Sequence, residues 1–414
     1  TGATLVASNF SLVGDKVVGY AEVAFPGLAP GIYTHSNLKA NSEVVRALDR
    51  LEIALVLDTT GSMKGTKLTT LKSAGKSLVD KLAAASLRIV EPNPIKISVV
   101  PFSQSVRVQG TTSLTSYNTS THSGAGIPTW LDPEDRSHIA GGHAIFDGPS
   151  DRFTLMKQMG LSWAGCVESR QQPYDIQETA PNSGTPATLV VPYFAPDEPD
   201  EDAGFWPVYN DYLDDGSPSN SWTQRQKRSA KYVSAPRFGA DGPNEGCDMA
   251  PLLRLSTNMT TVKATIDSLV ATGNTNIPMG LVWGWHTLSP NAPFADGVAY
   301  GTPKVRKIII LMTDGQNTSS VTSNTNQSTY SGLGYIWQNL LGMTSGSSAA
   351  RTTRMDERLS ALCSNIKARD ITIYTVRVED TSGSSTLLRN CASSPDKFYD
   401  VQTASQLNAD RKSV

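Results

Sequence analysis

The chain has 414 residues, a length that suits more than one structural unit. Apolar residues make up 39% and charged residues 18%, as in globular proteins with hydrophobic cores, and the formal net charge is only −2. This balance, without a basic run, argues against nucleic acid or an anionic membrane surface as a partner, and no apolar stretch is long enough to span a bilayer.

The sequence pattern changes near residue 51, where a β-leaning segment gives way to an alternation of strand and helix patterns. Residues 1–50 form a β-leaning segment with β-branched and aromatic residues between Pro and Gly breakers. Residues 53–57 are an unbroken apolar run, which is typical of a strand buried on both faces of a parallel sheet. Apolar residues then recur at helical spacing over 68–82, and a second strand is predicted at 95–100. Residues 51–102 are therefore predicted to be the first part of an α/β domain.

A long interruption follows at residues 103–251, where no helical or strand period persists. A structureless loop of this length is implausible in a compact domain, so we interpret it as an inserted module tied by Cys166 and Cys247. We expect most of its aromatic residues to form a core and a few to lie exposed near the sheet edge. His138 and His143 lie in a Gly-rich stretch and are interpreted as parts of a surface loop.

The α/β pattern resumes in residues 252–414. Helices are predicted at 259–270, after residue 276, and at 355–366, and strands at 308–312, 371–378 and 398–401. Residues 317–350 are rich in Ser, Thr, Asn and Gly and predict an exposed loop, and a terminal helix is expected after residue 401. Alternating strands and helices predict a doubly wound, mostly parallel sheet that carries a long irregular insertion.

Four cysteines provide a further constraint. Cys166, Cys247, Cys363 and Cys391 form no CxxC pair and have no His cluster nearby, so a zinc site is not expected. Their even number and wide spacing favour two disulfides in an oxidising compartment, although free thiols in a cytosolic protein are the alternative. Of the three possible connectivities we predict Cys363–Cys391 and Cys166–Cys247, because only one strand separates the elements that carry the first pair.

Two carboxylates follow directly on predicted strands. Asp58 comes after the run 53–57, with hydroxyls at Thr60 and Ser62, and Asp314 comes after the strand at 308–312. Thr275 offers another hydroxyl in a loop before an apolar helix. Ligands bind at the carboxyl ends of strands in such sheets, and these oxygen atoms suit Mg²⁺ or Mn²⁺. For each loop alone, helix capping is the better explanation; the three together favour a metal.

The stretch Asp-Thr-Thr-Gly-Ser-Met at 58–63 resembles the first motif of von Willebrand factor A domains, Asp-x-Ser-x-Ser, with a Thr in place of the first Ser. Gly-Asn-Thr-Asn at 273–276 resembles the threonine loop of that family, and Thr-Asp-Gly at 313–315 its final aspartate. The resemblance implies a von Willebrand A / Rossmann-like fold and a metal-ion-dependent adhesion site. The implied ligands, some acting through water, are Asp58, Thr60, Ser62, Thr275 and Asp314. It also implies a protein partner that supplies a carboxylate to the metal.

A narrower resemblance is to TadG-like proteins of the tight-adherence (Flp) pilus system. The motifs that carry it are Asp-Thr-Thr-Gly-Ser-Met, Trp-Ala-Gly-Cys-Val-Glu at 163–168, Tyr-Phe-Ala-Pro-Asp-Glu-Pro at 193–199 and Leu-Arg-Asn-Cys-Ala at 388–392. It implies a pilus or surface-assembly component of the bacterial cell envelope, on its periplasmic or extracellular face. Because the chain begins at Thr1, we expect an upstream signal or anchor to have been removed, and that anchor would be its only membrane contact.

Other functions receive less support from the sequence. An intracellular von Willebrand A module of an ATPase-driven assembly or metal-insertion complex is the alternative, and its cysteines would be free thiols. The chain has five histidines, no Gly-x-Ser-x-Gly nucleophile motif and no phosphate-binding loop, so we do not expect an enzyme. The acidic runs at 197–202 and 211–216 suggest a Ca²⁺ site, with a solvated acidic loop as the simpler interpretation.

Overall fold

The computed structural model describes residues 4–13, 16–25, 36–45, 50–87, 89, 91–148, 150–200, 210–215, 221–237, 241–378 and 386–401. Its described N-terminal part is an antiparallel sheet with the strand order β1 (Thr4–Val13), β2 (Lys16–Phe25) and β3 (Ser36–Val45). The β-leaning character predicted for this segment is therefore confirmed.

A mixed sheet forms the centre of the molecule. The described residues contain the further strands β4 (Arg50–Asp58), β5 (Ile95–Phe102), β6 (Val106–Arg107), β7 (Cys166–Val167), β8 (Leu253–Ser256), β9 (Val305–Thr313), β10 (Thr372–Val378) and β11 (Phe398–Val401). The central sheet has the order β11-β10-β9-β4-β5-β8, in which β8 is antiparallel to β5 and the other pairs are parallel. This is the order of a doubly wound fold with an antiparallel edge strand, so the predicted fold class is confirmed.

Helices cover both faces of this sheet. Within the described residues they are α1 (Thr66–Ser86), α2 (Arg136–Gly141), α3 (Arg152–Gln158), α4 (Trp222–Lys227), α5 (Met259–Asp267), α6 (Ile277–Leu288), α7 (Ser348–Lys367) and α8 (Thr386–Cys391). None of these described helices combines the length and apolar character needed to cross a membrane. Helix α5 ends three residues before the predicted end, and Val270 is exposed. The predicted terminal helix lies outside the described residues.

Alternate residues of β4 face the two layers, as the two-residue period of a strand requires. Ile53 and Leu55 belong to one hydrophobic cluster together with side chains of α1 and α5. Ala54 and Val56 belong to a second cluster together with side chains of α6 and α7. The apolar run of β4 is thus buried on both faces, which explains why it shows no polar alternation.

The insertion shares its core with the sheet. Trp163, Tyr193 and Phe194 are fully buried and lie in the same hydrophobic cluster as Val56 and Phe102 of the central strands. These three residues lie in a core, as expected for most of the insertion's aromatic residues. Trp130 and Trp222 are half-buried and Trp206 lies outside the described residues, so the expectation that a few aromatics lie exposed near the sheet edge stays a prediction. The boundaries of the insertion remain a prediction, but its packing makes it continuous with the α/β layer.

Two disulfides close loops in the described chain. Cys166 is joined to Cys247, and Cys363 of α7 is joined to Cys391 at the end of α8. These are the two pairs expected from the sequence. The four residues are at most 4% exposed, so both bonds lie inside the protein.

The Ser/Thr/Asn/Gly-rich segment at 317–350 is only in part the exposed loop that its composition predicts: residues 344–350 are exposed, whereas most of 324–341 is buried or half-buried. Asn324 Nδ2 donates a hydrogen bond to Glu198 Oε2 over 2.9 Å, and Tyr335 Oη donates to Glu198 Oε1 over 2.9 Å. Asn326 exchanges two amide hydrogen bonds with Gln226 of α4. The central part is buried because the insertion supplies polar partners for its polar side chains, which composition alone does not reveal.

His138 also departs from its prediction. The side chain is fully buried, and its Nδ1 contacts Asp135 while its Nε2 lies 3.5 Å from Glu168 Oε2. Arg152 completes this network: Nη2 lies 3.2 Å from Asp135 Oδ1, and Nη1 contacts Glu168. The surface-loop interpretation of His138 is therefore wrong, since the histidine is held inside by two carboxylates.

Candidate metal site at the carboxyl edge of the sheet

The first loop of the site begins where β4 ends. Asp58 is fully buried, and the backbone N–H of Thr60 donates to its Oδ1 over 2.9 Å. Thr59 fixes the loop to β5, since its backbone N–H and its hydroxyl both donate to the Phe102 carbonyl oxygen, each over 2.9 Å. The hydroxyl oxygens of Thr60 and Ser62 lie 2.9 Å apart in a hydrogen bond. Two hydroxyls thus sit together beside the carboxylate.

The second loop begins at the end of β9, the neighbour of β4. Thr313 Oγ1 donates to Asp58 Oδ2 over 2.7 Å, which ties the two strand ends together. Asp314 follows and is 7% exposed. Gly315 then turns the chain at φ 108°, a backbone conformation that favours glycine.

The two carboxylates influence each other. Burial raises the pKa of Asp58 to about 6, the negative charge of Asp314 adds to this rise, and hydrogen bonds from Thr313 and Thr60 oppose it. Two acids held this close together in a buried place need a positive charge to keep both ionised. The pair therefore has the electrostatic character of a cation site.

The third loop, at residues 272–276, is joined to the first by backbone hydrogen bonds. Thr272 N–H donates to the Thr59 carbonyl oxygen over 2.8 Å, and Gly61 N–H donates to the Gly273 carbonyl oxygen over 2.9 Å. Thr275 is 3% exposed, and its N–H donates to Thr318 Oγ1 over 2.8 Å. The loop of Thr275 thus lies directly against the loop that follows Asp58.

The oxygen atoms at this edge fit a hard divalent cation. Carboxylate and hydroxyl oxygens are the ligands that Mg²⁺ and Mn²⁺ prefer. Ser103 directly follows β5, and its hydroxyl is buried and has no hydrogen-bond partner among the described residues. One polar group at this edge is therefore still without a partner. The structure joins the three predicted loops; the assignment of Asp58, Thr60, Ser62, Thr275 and Asp314 as ligands remains a prediction.

Several residues of the site were not expected from the sequence. Thr313 stands inside the quoted motif Thr-Asp-Gly, so its position was a usable signal for a role beside Asp314. Thr318 supports the loop of Thr275 from a segment that was interpreted as exposed. Lys67, whose Nζ lies 3.1 Å from Asp314 Oδ2, gave no sequence signal because lysines at the start of an amphipathic helix are ordinary.

Of the acidic runs at 197–202 and 211–216, the structure describes residues 197–200 and 211–215. Asp197 Oδ2 lies 2.7 Å from Lys231 Nζ, and Asp215 Oδ1 lies 3.1 Å from Arg225 Nη1. Both acids are buried, so the solvated-loop interpretation is wrong for them. In the described part of the chain no group of three or more His, Cys, Asp or Glu side chains is placed to hold a metal. The Ca²⁺ site stays an untested prediction.

No family model matches the chain, and no curated protein matches it either. Among solved structures it is similar to the pilus adhesin SpaC of Lactobacillus rhamnosus GG in an open conformation, with 10% identity and a TM-score of 0.36 over 97% of this chain and 32% of that one. It is similar to the vWF domain of the type V pili tip protein Mfa5 of Porphyromonas gingivalis, with 9% identity and a TM-score of 0.38 over 87% of this chain and 94% of that one.

A third similar structure is proximal thread matrix protein 1 of the mussel byssus, with a zinc-occupied MIDAS motif. Identity is 12% and the TM-score 0.33, over 88% of this chain and 44% of that one. The chain spans about a third of the length of SpaC and less than half of the byssus protein. Likeness at this level carries no weight on function, which has to be argued from the site.

Proposed function

We propose that this protein binds a partner protein through a divalent cation and is not an enzyme. The ligands are Asp58, Thr60, Ser62, Thr275 and Asp314, and the cation is Mg²⁺ or Mn²⁺. The observation that carries the proposal is the pair of buried acids at the ends of neighbouring strands, one of them with its pKa raised to about 6 by burial and by the other's charge. A cation would relieve their repulsion and leave a coordination position for a partner's carboxylate.

The setting that we propose is the bacterial cell envelope, in a pilus or surface assembly. This setting follows from the motifs shared with TadG-like proteins, and the two disulfides support it because such bonds persist in oxidising compartments. Mass spectrometry of protein isolated from its native cells without reduction tests the point. Four free thiols would favour the intracellular assembly module instead.

Calorimetric titration with Mg²⁺ and with Mn²⁺ tests the metal site. We expect wild type to bind one ion, Asp58→Ala to lose the binding, and Asp80→Ala to keep it. Asp80 is a suitable control because it is an exposed acid of α1 whose partner is Lys263, away from the strand ends. Equal binding by wild type and Asp58→Ala would contradict the assignment.

A second experiment addresses the partner. Wild type and Asp58→Ala are compared as baits in envelope extracts, with Mg²⁺ and with a chelator. We expect a partner that is retained by wild type with Mg²⁺ and released by the chelator, and that Asp58→Ala does not retain. A partner held equally by both baits after chelation would show that binding does not pass through the metal.

A further inference from the structure

One cation of the chain already occupies the edge where the proposed metal binds. Lys67 is the second residue of α1, and its Nζ donates to Asp314 Oδ2 over 3.1 Å. Its side chain is 24% exposed and that of Asp314 is 9% exposed, so the ion pair is partly shielded from water. An ion pair in such a place is stronger than one on the open surface.

The position of Lys67 follows from the loop that precedes it. The 3-10 turn Gly61–Met63 and Gly65, at φ 81°, lead the chain from β4 into α1. This path places the first turn of α1 beside the end of β9, where Asp314 lies. Lys67 therefore reaches Asp314 from the start of the helix that follows the loop of Thr60 and Ser62.

Lys67 would act on a divalent ion at this edge in two ways. The ion would need Asp314 as a ligand, and the carboxylate of Asp314 is already paired with the ammonium group. The ion would also be repelled by the positive charge of that group. Both effects oppose metal binding, and neither acts on the hydroxyl ligands. The ion has to overcome them before the site fills.

We propose that Lys67 is an internal counter-ion, which competes with the divalent cation for Asp314 and so sets the metal concentration at which the site fills. This inference rests on the proposed metal site. In the absence of metal Lys67 compensates one of the two buried carboxylates. When the metal binds, the ammonium group gives up Asp314 and turns to solvent.

The test compares Mn²⁺ binding to wild type, Lys67→Met, Lys67→Arg and Lys64→Met by calorimetry at one ionic strength. Met keeps the length and most of the apolar stem of Lys67 without the charge, and Arg keeps the charge. Lys64 is the matched control, since it is an exposed lysine three residues earlier and lies outside the ion pair. Lys67→Gln serves as a second neutral variant if Lys67→Met does not fold.

We expect Lys67→Met to bind Mn²⁺ about tenfold more tightly than wild type, the order expected when one positive charge leaves the neighbourhood of a divalent ion near the protein surface. Lys67→Arg should stay close to wild type, and Lys64→Met should change the affinity less than about twofold. The melting temperature should rise more on adding Mn²⁺ to Lys67→Met than to wild type.

Two results would overturn the inference in different ways. If wild type binds Mn²⁺ and Lys67→Met binds it no more tightly than Lys64→Met, the metal site stands and the counter-ion role is wrong. If neither wild type nor Lys67→Met binds Mn²⁺, the metal site itself fails, and the role of Lys67 fails with it.

Discussion

Thr313 Oγ1 donates a hydrogen bond to Asp58 Oδ2 over 2.7 Å, from the last residue of β9 to the last residue of β4. The same hydroxyl accepts a hydrogen bond from the Gly315 N–H over 3.0 Å. One threonine therefore fixes both the rotamer of Asp58 and the turn that carries Asp314. It supports the proposed ligands without being one of them.

Thr313→Val should weaken Mg²⁺ or Mn²⁺ binding about tenfold or more, because loss of a group that orients a ligand typically has an effect of this size. The substitution keeps the shape of the side chain and removes only the hydroxyl. Thr372→Val, at the opposite end of the neighbouring strand β10, is the matched control and should leave metal affinity unchanged. Calorimetry decides the matter, and similar affinities in the two variants would mean that Asp58 does not depend on Thr313.

Two helical glycines give a paired prediction about the layers that hold the site. A Cβ added at Gly284 of α6 would lie 2.4 Å from Val56 Cγ2, whereas one added at Gly75 of α1 would lie 3.4 Å from Ile266 Cδ1. Gly284→Ala should therefore lower the free energy of unfolding by about 1–3 kcal/mol through overpacking. Gly75→Ala should raise it by roughly 0.5–1 kcal/mol, the usual gain from removing a helical glycine.

Denaturant titrations of the two glycine variants measure both changes. The two substitutions are chemically identical and both lie inside a helix, so only their surroundings differ. If Gly284→Ala is as stable as Gly75→Ala, α6 does not pack against β4 as closely as the structure has it.

The disulfide between α7 and α8 should contribute measurably to stability. It closes a loop of 28 residues, for which chain entropy gives about 3–4 kcal/mol. The double variant Cys363→Ala/Cys391→Ala should lose about this much in denaturant titrations under non-reducing conditions. Wild type in a reducing agent should lose more than the double variant, because reduction also opens the bond between Cys166 and Cys247. A double variant as stable as oxidised wild type would show that the bond does not constrain the unfolded chain.

The sequence was sufficient for the parts of the fold that repeat a regular pattern. The run at 53–57 and the strand at 308–312 are apolar throughout, and this is the signature by which they are predicted. Both faces of the first run are buried, and the second is buried on one face and half-buried at Ile308 and Ile310 on the other. Asp58 and Asp314 were found for the same reason, because each follows such a run directly. The edge strand β8 was missed, as four partly exposed residues have too short a period to be recognised.

The insertion resisted prediction because its burial depends on partners far away in the sequence. Glu198 is buried among Asn324 and Tyr335, more than a hundred residues away, and nothing near it in the sequence indicates this. His138 is a similar case: its Gly-rich surroundings suggest a loop, and only the fold brings Glu168 and Arg152 to it. Local composition describes exposure well only where the partners of a polar group are local too.

The His138 network should make stability depend on pH in a specific way. Burial alone would lower the pKa of His138, but the charges of Asp135 and Glu168 outweigh burial and raise it above the ordinary value. The pKa of Asp135 is lowered: burial opposes this, and Arg152 and His138 prevail. His143, by contrast, has its pKa lowered, by burial first and then by the charge of His138.

A raised pKa in the folded state means that protonated His138 stabilises the fold fully below the unfolded value, about 6.5, and that this contribution is lost as the pH rises through the folded value. A lowered pKa for Asp135 gives the opposite limit, because its contribution is present above about 3.9 and is lost as the pH falls through the folded value. The network should therefore stabilise the protein most between about pH 4 and 6.5 and less on the alkaline side.

The measurement is the free energy of unfolding by urea at a series of pH values from 5 to 9, for wild type, His138→Gln and His143→Gln. We expect wild type to lose stability toward alkaline pH, His138→Gln to be less stable at pH 6 but to lack that alkaline loss, and His143→Gln to retain it. Glu168→Gln should also lower the free energy of unfolding at pH 6, by roughly 3–5 kcal/mol. This is the usual cost of removing the partner of a buried charge, and here Arg152 and His138 lose the carboxylate of Glu168. An alkaline loss in His138→Gln equal to that in wild type would show that another group is responsible.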